Sequence, residues 1–95
     1  MKKYEIMFIV RPDLEETTIT QVATSMKEVL TANNANVVEE KPMGQRELAY
    51  EVRKFNTGYY YLFVVEASAA AEEEFKRVAR INESLLRHIV VKVED

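Results

Sequence analysis

Few side chains in this 95-residue sequence have the chemistry of an acid, a base or a ligand and a neighbour to act with. His88 is the one histidine. A general base needs a group that orients it, and His88 lies between Arg87 and Ile89 in an apolar run that offers none. It reads as a partly buried strand residue. Glu72, Glu73 and Glu74 follow one another on a predicted helix, where consecutive side chains diverge around the axis and cannot converge on one ion. A solvated first turn, favoured by the helix dipole, explains them. There is no cysteine, so disulfides and thiolate metal sites are excluded. No glycine-rich phosphate loop, HExxH helix or nucleophile elbow occurs. The expectation is a protein without catalytic residues, metal or cofactor.

Positive charge is the remaining chemistry. Thirteen lysines and arginines face sixteen acids, for a net charge of −3. That balance argues against general coating of nucleic acid and leaves room for a local basic patch. The candidates are Lys2, Lys3, Arg46, Arg53, Lys54, Arg87 and Lys92.

The elements that would position these groups are legible in the apolar spacing. Residues 2–10, "KKYEIMFIV", read as a strand, and the apolar part is too short and too charged for a signal peptide. Asp13 with Glu16 resembles a capping box, and Ile19, Val22, Ala23, Met26, Val29 and Leu30 then recur at helical spacing. "NNAN" ends that helix, since asparagine tolerates the left-handed conformation. "VVEEKPMGQRELAYEVRK" is one long extended segment. Pro42 cannot donate to a ladder and places it at a sheet edge, and Gly44 suggests a bulge. Leu48, Tyr50 and Val52 should anchor its second half on the core. "FNTG" reads as a hairpin turn into a central strand at residues 59–67. Ser68 caps a second helix with Ala71, Phe75, Val78 and Ala79 inward. "LLRHIVVKV" is the last strand.

The order β-α-β-β-α-β is the α+β, ferredoxin-like split βαβ arrangement. It predicts a four-stranded antiparallel sheet with the first and third strands central and both helices on one face. One domain spans 1–95. Strand neighbours alternate faces, and both faces of the two central strands are apolar: Tyr4, Ile6, Phe8 and Val10 against Met7 and Ile9, then Tyr59, Tyr61, Phe63 and Val65 against Tyr60, Leu62 and Val64. One apolar set therefore has no helix above it, which marks a protein partner or a homodimer. The first and last strands are neighbours, so Lys2 and Lys3 should meet Lys92 in one positive patch. "TGYYYLFVV" has aromatics on the third strand but lacks the basic-Gly-aromatic-Gly-Phe spacing of the RNA recognition motif. No apolar run is long enough to cross a membrane, and a cytoplasmic setting is expected.

Four stretches together resemble the family of the bacterial small-subunit ribosomal protein numbered six. "MKKYEIMFIVRPDL" is similar to its opening, a basic pair, Tyr-Glu and a strand ending in a proline turn. "GQRELAYEV" resembles its signature, roughly Gly-x-basic-x-Leu-Ala-Tyr-x-Ile, with Val52 in place of isoleucine. "TGYYYLFVVEA" resembles its third strand, and "RINESLLRHIVVK" its final helix end and strand. The resemblance implies a structural protein of the small ribosomal subunit. It implies contact with the central domain of 16S ribosomal RNA, in the platform, as a heterodimer with the small-subunit protein numbered eighteen, S-eighteen. RNA contact is then expected from Lys2, Lys3, Tyr4, Arg87 and Lys92, and more weakly from Arg46. Two readings of other classes stand beside it. One is a ferredoxin-like ligand-sensing regulatory domain acting as a homodimer. The other is an acylphosphatase-like enzyme using Arg11, which the missing phosphate loop disfavours.

Overall fold

A computed structural model describes residues 1–93. Its elements are β1 (Lys2–Val10), α1 (Glu16–Ala32), β2 (Asn36–Val52), β3 (Phe55–Ala67), α2 (Ala69–Ile81) and β4 (Leu85–Val93). The strands form one antiparallel sheet in the order β2-β3-β1-β4, so β1 and β3 are central as expected. This is the ferredoxin-like fold.

The helices dock through the residues that the sequence placed inward. Ile19, Ala23, Met26 and Leu30 are buried on α1, and Ala71, Phe75 and Ala79 on α2. They meet Tyr4, Ile6, Phe8 and Val10 of β1 and Phe63, Val65 and Ala67 of β3 in one core. Phe8 sits at its centre, edge-on to Phe63 with centroids 5.2 Å apart and stacked on Tyr61 at 5.3 Å. Losing such a ring costs about 3–5 kcal/mol.

The caps follow the sequence at one helix and depart from it at the other. Ser68 accepts from the Ala71 N–H at 3.2 Å. Asp13 does not cap α1. The N-cap is Glu15, without a side-chain bond, because the Asp13 carboxylate is taken by both arms of Arg11, at 2.8 and 2.9 Å. Asn34 ends the helix in the left-handed region at φ 64°.

The hairpin turn also differs. It is Arg53–Lys54, with φ 47° and 69°, a two-residue loop in which both residues are left-handed. "FNTG" is instead the first part of β3. Gly58 is buried there for a packing reason, since a Cβ would overlap Ile9 Cγ2 and come within 3.3 Å of the Val10 carbonyl. Gly44 is the conformational glycine. It has φ 80° and open space around it, and it lies where the β2 register slips past Pro42.

Candidate partner and nucleic-acid interface

The register assigns every strand residue to a face, because directly paired residues point the same way. On the face without helices, four rows cross the sheet from β2 to β4. The first is Gly44, Tyr60, Ile9, Arg87; the second is Lys41, Leu62, Met7, Ile89. The third is Glu39, Val64, Glu5, Val91, and the fourth is Asn36, Glu66, Lys3, Val93. The surface is therefore apolar along its middle. At one end stand Arg87 and Arg46, which faces the same way opposite Gly58; at the other stand Glu5, Glu39 and Glu66. Ile89 and Val91 are 50% and 53% exposed, too open for residues that serve only the monomer's own core.

The arginine end is partly covered by the chain itself. Between the pairs Glu47↔Thr57 and Val52↔Phe55, β2 carries more residues than β3, and the excess rides over the open face. Leu48, Tyr50 and Val52 thus miss the core where the alternation had placed them. With Met7, Ile9 and Tyr60 they line an open apolar depression of about 250 Å³. Two contacts tie this strap to β4 at the opposite edge. The Arg87 guanidinium lies over the Tyr50 ring, 5.2 Å from its centroid. The Arg53 guanidinium donates to the Leu85 carbonyl at 2.6 Å and to the Glu83 carbonyl at 3.0 Å. Ile9 and Leu86 are buried near this end without joining the main core.

The structure separates the cations that were expected in one patch. Lys2 and Lys92 do meet on the helix side, and the Lys2 ammonium pushes the Lys92 pKa down. Glu72 is close to both, held below the usual carboxylate range by Lys76 at 2.7 Å, then by Tyr4 and by Lys2. Lys3 alternates to the open face beside Val93. Arg87 is seven residues along the β1 ladder from Lys2, roughly 23 Å at strand rise. Arg46 is exposed and donates from Nε to the Met43 carbonyl at 3.2 Å. Tyr4 is 5% exposed, with its ring in the core and its hydroxyl beside Glu72, which raises its pKa. A ring so placed cannot stack on a base, and the expectation of direct contact from Tyr4 gives way to a positioning role at Glu72.

His88 is half-buried on the helix side. Burial, and then the cations Arg80, Lys76 and Arg87, push its pKa below the ordinary value. It has the strand role expected of it. Among the described residues no cluster of three or more His, Asp or Glu side chains is arranged to hold a metal.

The family model described as "Ribosomal protein S6" matches residues 3–92. The chain belongs to the ribosomal protein S6 family. This is a class of structural, RNA-binding proteins of the small ribosomal subunit and not a class of enzymes. The fold is also close to a solved family structure, the 30S ribosomal protein S6 from Thermotoga maritima. Its TM-score is 0.93 at 24% identity, over 97% of this chain and 87% of that one. The C-terminal domain of the MgtC protein from Mycobacterium tuberculosis shares the fold at TM-score 0.65 and 11% identity, over 99% and 89%. In family terms, the signature "GQRELAYEV" contains the bulge at Gly44 and most of the strap. Sequence reasoning missed Tyr50 and Arg53 as site residues. The available signal was Arg-Lys between two strand patterns, a loop of hairpin length without the usual asparagine and glycine.

Proposed function

We propose that this protein is a structural constituent of the small ribosomal subunit. In this reading it joins the central domain of 16S ribosomal RNA, in the cytoplasm, as a heterodimer with S-eighteen. The observation that carries the proposal is the open sheet face, with its exposed apolar middle between an arginine end and an end with three carboxylates. A basic protein seated on the apolar middle would bury Ile89 and Val91 and meet Glu5, Glu39 and Glu66. The acidic chain would then gain from its partner the charge that it lacks for RNA. Lys2, Lys3, Lys92, Arg87 and Arg46 contact phosphates in this reading, and such contacts position without specifying sequence.

The test is a titration of a central-domain RNA fragment with this protein, with S-eighteen, and with both, at two salt concentrations. The mixture binds tightly and neither protein alone does. Replacing Lys2 and Lys3 by alanine weakens binding and reduces the salt slope by about 0.9 for each phosphate that is no longer neutralised. A mixture that binds no better than S-eighteen alone refutes the heterodimer reading. A Glu5→Lys variant that still pairs with S-eighteen at full affinity refutes the placing of the partner on this face.

A further inference from the structure

The geometry points to a nucleotide slot at the strap: one unpaired base of the RNA stacks on Tyr50 over the apolar depression, and its phosphate pairs with Arg87. This inference rests on the RNA-binding reading above and names the piece of RNA that one end of the open face takes. Three observations carry it.

First, Tyr50 is 59% exposed although its strap is tied down on both sides. A tyrosine held in place and left open is a stacking platform whose ordering has already been achieved in the free protein. Second, Arg87 lies over that ring and has no carboxylate within ion-pair distance among the described residues. Arg11, by contrast, is bound by Asp13, and Arg77 by Glu74. An arginine on an aromatic face with its charge unanswered is complementary to a phosphate, and the pair is the recurrent grip on a splayed base. Third, the depression is lined by no acid. Its floor is Met7, Ile9 and Tyr60, with Leu48 and Val52 as walls. The carboxylates of the face lie two and three rows away. A basic protein partner is drawn to that acidic end, and a polyanion to this one.

The sequence contains no tryptophan, so Tyr50→Trp creates a single fluorescent reporter on the platform itself. The variant is titrated first with S-eighteen and then with the central-domain RNA fragment. A stacked base quenches the indole emission in the RNA step, whereas S-eighteen alone leaves it unquenched. In parallel, Tyr50→Ala weakens RNA binding by the mixture roughly tenfold, Tyr50→Phe leaves it within about twofold, and heterodimer formation is unchanged in both. A fully exposed emission that RNA does not alter, with Tyr50→Ala binding RNA as the wild type does, overturns the slot and leaves the RNA-binding reading standing. A loss of S-eighteen affinity in Tyr50→Ala, with emission shifted by S-eighteen alone, overturns it in favour of a protein anchor. Wild-type protein that fails to bind the fragment with S-eighteen present overturns both. Thermal melting of each variant confirms that the comparison is made between folded proteins.

Discussion

Gly58→Ala tests whether the strap end is packed as described. The added Cβ would overlap Ile9 Cγ2 and approach the Val10 carbonyl at 3.3 Å and Leu86 Cδ1 at 3.6 Å. The backbone neighbour cannot yield cheaply, and Ile9 is only 8% exposed, so it cannot swing into solvent. Overpacking of this kind costs about 1–3 kcal/mol. Alanine also restricts the unfolded chain more than glycine does, which returns about 0.4–1 kcal/mol. The clash exceeds that gain, and a net loss of about 1–2 kcal/mol is expected. For a domain of this size that lowers Tm by roughly 5–15 °C. The assay is urea unfolding, read as a lower midpoint with an unchanged slope. Ile9→Leu supplies the decisive control, because leucine has no methyl at the Cγ2 position and is itself worth less than about 1.5 kcal/mol. In that background Gly58→Ala should lose at least half its effect, a coupling of about 1 kcal/mol in a double-mutant cycle. Equal losses in both backgrounds would refute the packing argument. So would a Gly58→Ala protein as stable as the wild type.

Two further outcomes follow from the turn and from the histidine. Lys54 is left-handed at φ 69° in a two-residue hairpin loop where glycine is preferred, so Lys54→Gly should stabilise the protein by a few tenths to about 1 kcal/mol, read as a higher urea midpoint. The His88 pKa is depressed in the fold, so the unfolded chain binds the proton more tightly. Stability is full above the ordinary value of about 6.5 and falls as pH drops from there through the lower folded pKa. His88→Gln should remove that first step. It should keep the acid limb below about pH 4, where the depressed carboxyls of Asp13 and Glu72 titrate. Melting curves across the pH range check both.

The element order, the Ser68 cap, the Gly44 bulge and the edge position of β2 were all legible, because each rests on a local rule with one outcome. Face assignment along β2 was not. Leu48, Tyr50 and Val52 alternate as a core-facing strand should, but three register breaks precede or interrupt them, and each break resets which side a residue faces. The turn was misplaced because Phe55–Gly58 contains the residues that turns prefer, while Arg53–Lys54 contains neither asparagine nor glycine. What holds Arg53 there is a pair of carbonyls, Glu83 and Leu85, thirty or more residues away. Lys2 and Lys3 were grouped by adjacency in sequence, and strand alternation sends them to opposite faces.

Lys2 and Lys92 also bear on how the free and bound protein differ. Each keeps a charge that the other disfavours, and Glu72, which is near both, is already engaged by Lys76. The unbound molecule is thus slightly less stable for having two ammonium groups together, and added salt, by screening them, should relieve it. An RNA phosphate placed between them would do so more completely. This corner of the fold is therefore arranged for a counterion supplied by another molecule, and free protein should melt more easily than protein in its complex for a reason local to this pair.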